Sequence, residues 1–245
     1  MSLHRLRKQW DRFGLRDPFW AVLTVPGKKN SGWDPAEFFE TGKSEIDGVL
    51  QYVQSIRPLP RRKCALDFGC GVGRLTQALA RHFEEVIGVD IAPSMIEHAA
   101  RYNQYGERCR YVLNVQPDLR IFSDGQFDFI YSNITLQHMP RDLAEGYLVE
   151  FLRVLAPGGL LLFQLPSRIR KDQSSAIERL IRKLYYEVFR NFLRPGTPYM
   201  EMHGIGKEQV VRFLAVHGGK VLDVAPDNFA YPHWEGFRYL VGGPD

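Results

Sequence analysis

Cys64-Ala-Leu-Asp67-Phe-Gly69-Cys-Gly71-Val-Gly73-Arg-Leu75, a helical pattern, and then Val86-Ile-Gly-Val-Asp90-Ile-Ala-Pro-Ser-Met95 form the stretch that decides how this chain is read. An apolar strand runs into alternate glycines, a helix follows, and a second apolar strand ends on a carboxylate. That is the order of half a nucleotide-binding α/β unit. Gly69, Gly71 and Gly73 let the backbone turn tightly and approach a ligand closely. Alone they specify little, because any tight strand-to-helix turn uses glycines.

Two carboxylates narrow the ligand. Asp67 stands two residues before Gly69, where a dinucleotide would place its pyrophosphate, and a carboxylate there repels phosphate. S-adenosylmethionine has no phosphate and carries an ammonium and a sulfonium, both favoured by a negative neighbour. Asp90, about 20 residues on at the end of the next strand, can accept both ribose hydroxyls. Ile91 can lie against an adenine. A nicotinamide-dependent oxidoreductase shares this half of the fold and is disfavoured by Asp67.

Outward from this stretch, residues 63–166 alternate strand and helix. Strands are predicted at about 63–68, 85–90, 109–114, 127–132 and 159–165, and helices at about 73–82, 93–103 and 141–155, from the apolar periodicity. Alternation at this spacing predicts a parallel sheet with right-handed crossovers. A helix at about 207–217 and strands at about 220–225 and 236–242, with no helix between the strands, predict an antiparallel pair at the end. The fold class is therefore α/β: a doubly wound, mostly parallel seven-stranded sheet with an antiparallel edge strand.

Around this core the chain divides into an N-terminal helical cap (residues 1–58), the core itself (59–166), a helical insertion after the fifth strand (167–204) and a C-terminal helix with the strand pair (205–245), together one domain. In the cap, Leu3, Leu6, Trp10 and Phe13 line one helical face, Asp17-Pro18 breaks it, and Pro26 to Gly32 reads as a loop suited to a lid. Asp34, Pro35 and Glu37 start a helix. Gly42 is read as a break before a second helical run, Ser44 to Ile56.

Composition sets the bounds. The formal charge of +4 on 245 residues is modest and does not call for nucleic acid. The three cysteines, Cys64, Cys70 and Cys109, are an odd count and suggest reduced thiols in the cytoplasm. No apolar run reaches the roughly 18–20 residues of a membrane span. The basic start is followed by no apolar signal core, so no secretion signal is expected.

Asp67-Phe-Gly-Cys-Gly-Val-Gly73, Gly88-Val-Asp90-Ile-Ala-Pro-Ser-Met95, Phe127-Asp-Phe-Ile-Tyr-Ser132 and Leu152-Arg-Val-Leu-Ala-Pro-Gly-Gly-Leu160 occur in this order. Together they resemble the class I methyltransferases, the seven-stranded, Rossmann-like group that uses S-adenosyl-L-methionine and releases S-adenosyl-L-homocysteine. The resemblance implies that Asp67 and the backbone of Gly69, Cys70 and Gly71 hold the methionine portion. It implies that Asp90 takes the ribose, that Ile91 and Met95 flank the adenine, and that Asn133 offers its backbone carbonyl to the amino group. Arg74 is in reach of the methionine carboxylate, or is a solvated charge. Asn114, followed by Val115, stands where many members place an aspartate that accepts from the adenine amino group; Asp118 is the competing choice.

For the transfer itself His138 is the candidate base, placed after the fourth strand where parallel sheets put their ligand crevice. His203 is a second candidate, and Trp33, Tyr199 and His203 are candidate walls of the acceptor pocket. Ser132-Asn-Ile-Thr135 replaces the Asn-Pro-Pro-Tyr-like run of members that methylate amides or adenine amino groups. A small-molecule or sugar-like acceptor, methylated on oxygen or nitrogen, is the leading reading. The basic, aromatic insertion keeps RNA or another anionic polymer open as an alternative, and its aromatic side offers a homodimer face. A non-catalytic, cofactor-binding partner subunit is the third reading.

Overall fold

The computed structural model describes residues 2–59, 61–169, 200–227 and 233–243. The seven strands are β1 (Cys64–Phe68), β2 (Glu85–Asp90), β3 (Cys109–Leu113), β4 (Phe127–Ser132), β5 (Leu155–Ile169), β6 (Lys220–Asp227) and β7 (Trp234–Gly242). They form one sheet in the order β3-β2-β1-β4-β5-β7-β6. The first five are parallel neighbours, and β7 runs antiparallel to both β5 and β6. The expected antiparallel strand is thus β7, inserted one place in from the edge. Pro157 to Gly159 lies inside β5: Phe127 pairs with Leu155 and Phe129 with Leu160, so these residues form an irregularity within a strand longer than the one expected at about 159–165.

Seven helices among the described residues cover the sheet: α1 (Leu3–Arg16), α2 (Pro18–Val22), α3 (Pro35–Ile56), α4 (Arg74–Leu79), α5 (Pro93–Tyr102), α6 (Arg141–Val154) and α7 (Lys207–Val216). β1 shows how the two faces are filled. Leu66 and Phe68 point to the α6 and α7 side, and Ala65 points to the α3 and α4 side with Ile46, Val49 and Leu79, as the alternation of a strand requires. Asp67 shares the parity of Ala65, so a carboxylate is buried between sheet and helices. Cys64, Cys70 and Cys109 are all buried, free thiols.

α3 is one unbroken helix of 22 residues, not two runs split at Gly42. Its start is as predicted: the Asp34 side chain accepts from Glu37 N–H, and Pro35 sits in the first turn. Gly42 is there for proximity, because a Cβ on it would stand 2.6 Å from the Arg74 carbonyl oxygen. The small residue lets α3 cross the start of α4 closely.

At the N-terminus, Asp17 separates α1 from α2, and its carboxylate accepts from Asn30 N–H (2.6 Å) and Ser31 N–H (3.2 Å). The loop 26–32 is therefore tied back to the helices. The roof over the sheet's carboxyl end is made by α1 and α2 themselves. α1 is anchored to α5: Asp11 Oδ1 accepts from Ser94 N–H and the Asp11 carbonyl accepts from Ser94 Oγ, each at 2.9 Å.

Candidate active site

The strand order reverses between β1 and β4, and a ligand crevice in such a sheet opens at the carboxyl ends of those strands. A cavity lies there. Its floor is Phe68 to Gly71 with Arg74, one side is Asp90, Ile91, Met95 and Asn114, and the other is Asn133 to Thr135 with His138. Leu3, Leu6 and Trp10 of α1 and Ala21 and Val22 of α2 complete it.

The glycine turn is held from β2. Gly69 N–H and Cys70 N–H both donate to the Val89 carbonyl, at 2.8 and 3.0 Å. Gly71 N–H donates to Asp90 Oδ2, and Ala92 N–H donates to Asp90 Oδ1, each at 2.9 Å. Asp90 therefore sits with both oxygens anchored. Burial raises its pKa, and the backbone donors of Ala92, Gly71 and Ile91 oppose the rise.

Asp67 lies beneath this turn and does not line the cavity surface. It is 1% exposed, and Thr76 Oγ1 donates to its Oδ2 at 2.6 Å. Burial pushes its pKa up to about 7; the Thr76 hydrogen bond and the Arg74 charge pull the other way without restoring the ordinary value. Such an acid lacks a compensating cation.

Arg74 is not a solvated charge. Its Nη2 is 2.8 Å from Glu45 Oε2, with the two side chains 2% and 8% exposed. Glu45 Oε1 also accepts from Tyr131 Oη at 2.9 Å and from Asn133 Nδ2 at 2.7 Å. Sequence reasoning missed Glu45. It sits on α3, far from every motif, and only the crossing at Gly42 brings it in.

At the other end Asn114 lines the cavity, and its amide is engaged: Nδ2 donates to the Asp118 carbonyl and Oδ1 accepts from Gln116 N–H. The Asp118 carboxylate turns to Arg120, accepting from its N–H at 3.2 Å with its Nε 3.4 Å away, and is absent from the lining. Val115 does not line the cavity either. The Asn133 carbonyl accepts from Thr135 Oγ1 at 3.0 Å. Between them Ile134 has a φ of 56°, a left-handed conformation that is strained for a β-branched residue.

His138 closes the β4 loop. Its Nδ1 is 2.7 Å from the Glu201 carbonyl, which only accepts, so Nδ1 carries the proton and Nε2 holds a lone pair. Gln137 Nε2 is 3.2 Å from that Nε2, and Trp10 meets the ring edge-on at 4.9 Å. Burial holds the imidazole's pKa down to about 4, so the ring is neutral at pH 7.

The remaining sequence candidates lie elsewhere. Trp33 is buried against Phe38 in the N-terminal aromatic cluster, with Nε1 donating to the Leu23 carbonyl. It does not line the cavity, whereas Trp10 does. His203 lies behind His138, its N–H donating to the Gln137 carbonyl at 2.7 Å, and does not reach the cavity. Tyr199 and the rest of residues 170–199 of the insertion, and with them its polymer and homodimer readings, fall outside the described residues.

Residues 65–159 match a family described as a methyltransferase domain. The chain is 30% identical over 159 residues to a trans-aconitate 2-methyltransferase from Streptomyces avermitilis, covering 62% of this chain and 56% of that one. It is 28% identical over 190 residues to a ubiquinone biosynthesis O-methyltransferase from Methylococcus capsulatus, covering 71% and 79%. The chain spans about half the length of the first curated relatives it matches. Among solved structures it superposes on a magnesium protoporphyrin IX methyltransferase from Synechocystis with bound S-adenosylhomocysteine. The TM-score is 0.64 at 17% identity, over 99% of this chain and 100% of that one. This likeness establishes the fold.

Proposed function

The chain carries a class I methyltransferase domain in residues 65–159, and from that premise we propose that it transfers a methyl group from S-adenosylmethionine to a small-molecule acceptor, on oxygen or nitrogen. The observation that carries the reading is Asp90, anchored through both oxygens beside the glycine turn and lining the cavity, where its carboxylate can accept from a diol. Asp67 fits the same ligand, being a buried acid without a matching cation. The small-molecule acceptor is supported by the roof that α1 and α2 form over the cavity. It is supported too by the relatives' names, trans-aconitate and ubiquinone biosynthesis among them.

When bound, S-adenosylmethionine supplies a methyl group on a sulfonium that is already a good leaving group. The chain's work is then to bind, orient and exclude water, and orientation alone is worth about 7–11 kcal/mol for well-placed reactants. Asp90 holds the ribose, Ile91 and Met95 bound the adenine, and Asn114 closes that end. His138, neutral with a free lone pair on Nε2, takes the proton of a hydroxyl or ammonium acceptor, displacing the Gln137 amide.

Binding of S-adenosylhomocysteine to the full chain tests this. It should raise the Tm of the wild type, and Asp90→Ala, with its fold checked by circular dichroism, should remove the shift. A folded wild type whose Tm does not respond refutes the reading.

A further inference from the structure

Glu45 lies outside the matched domain, yet it joins two cavity walls. Arg74 comes from the start of α4 and Asn133 from the end of β4, and both donate to Glu45, as does Tyr131. Arg74 Nη1 makes a further contact to Thr41 Oγ1 at 3.3 Å. That accounts for two of the three guanidinium nitrogens. The third, Nε, is buried and has no partner among the described residues. A buried N–H is normally paired, and a charged donor is best met by a carboxylate.

A buried acid lies within the influence of the Arg74 charge. Asp67 is wholly buried, Thr76 is its one side-chain hydrogen-bond partner, and the charges of Arg74, Glu45 and Asp90 all act on it. Arg74 is held by Glu45 and Thr41 and makes no ion pair with Asp67 among the described residues. A free guanidinium N–H in the cavity wall, with a buried carboxylate beneath the turn, is complementary to a tail that carries a carboxylate and an ammonium.

We propose that Glu45 is the positioning residue that makes this cavity select an α-amino-acid tail, by fixing Arg74 so that Nε–H is left for the tail's carboxylate while the Asp67 charge beneath the turn favours its ammonium. The proposal rests on the methyl-donor reading and adds to it a residue outside the matched domain. It also explains why α3 crosses α4 closely enough to require Gly42.

The test compares two probes that share adenosine and sulfur: S-adenosylhomocysteine, which has the tail, and 5′-methylthioadenosine, which lacks it. Calorimetric titration of the full chain should give Glu45→Gln a loss of roughly tenfold to hundredfold for the first probe and less than about threefold for the second. If Glu45→Gln fails to fold, Glu45→Leu with Arg74→Met removes both buried charges together, the arrangement that avoids an unpaired ion. It should show the same selective loss. Equal weakening of both probes, or none of either, overturns the proposal and leaves the methyl-donor reading standing. So does a wild type that binds the two probes equally. A wild type that binds neither overturns both.

Discussion

Lowering the pH should weaken S-adenosylhomocysteine binding through Asp67. Its carboxyl titrates at about 7 in the ligand-free protein because burial penalises the charge. An ammonium beside it restores the ordinary carboxylate range near 4, so binding below pH 7 must expel a proton. With those two values, Kd should fall about fifty-fold from pH 5 to pH 7 and level off above. Close to one proton should be released per ligand at pH 6. Calorimetry in two buffers of different ionisation enthalpy reads both quantities. Asp67→Asn should flatten the Kd profile and abolish the release. Asp90 is also raised by burial, so the variant is what assigns the effect. A wild-type Kd constant from pH 5 to 7, or an unchanged slope in Asp67→Asn, refutes the reasoning.

The same shift has the opposite consequence for the ligand-free fold. The native state holds a proton on Asp67 that the unfolded chain has lost, between the model-peptide value of 3.8 and about 7. Through this group, stability therefore falls as pH rises across that window, by an amount on the order of 4 kcal/mol. Bound ligand cancels the penalty, so the ligand-induced rise in Tm should itself grow from pH 5 to pH 7.

Two further outcomes follow from the site. Gly69→Ala places a Cβ 2.2 Å from Thr135 Cγ2 at a φ of +78°, so it should cost more than the roughly 1–3 kcal/mol of the backbone conformation alone; chemical unfolding of Gly69→Ala and of its pairing with Thr135→Gly separates the clash from the strain. His138→Ala should lower kcat by about 10²–10⁴ with S-adenosylhomocysteine binding intact. Because burial puts this imidazole's pKa at about 4, the wild-type kcat should show no acid limb near 6.5 from His138.

The order of elements was legible because each signal is local. β2 and β4 begin and end where the apolar runs do, at Glu85–Asp90 and Phe127–Ser132. Asp34 and Pro35 announce the start of α3 by capping chemistry that acts within one turn. Gly42 misled for the same reason: a helical glycine reads as a break unless the element it touches is known, and Arg74 is 32 positions away. Trp33 and Trp10 are equally aromatic in the sequence, and only packing decides which faces the cavity. Glu45 had no signal at all, since a carboxylate on a helix is usually solvated, and three donors from α4 and β4 are needed to show that this one is not.

The glycine turn changes meaning most. Read from sequence, its glycines make room for a ligand. In the fold, a Cβ on Gly69 would strike Thr135, on Gly71 would strike Val22, and on Gly73 would strike Tyr111. Each missing side chain is occupied by another part of the protein: the β4 loop, the roof helix α2 and strand β3. The glycine spacing is therefore fully explained by packing and would be required of this fold with any ligand. The left-handed φ values at Gly69 and Gly71 go with N–H groups directed to Val89 and Asp90, while Gly73 N–H donates back to the Cys70 carbonyl. What distinguishes one ligand from another is left to the acids, Asp90 at the surface of the cavity and Asp67 and Glu45 beneath it. A variant series that changes the glycines should thus report on stability, and one that changes the acids should report on what is bound.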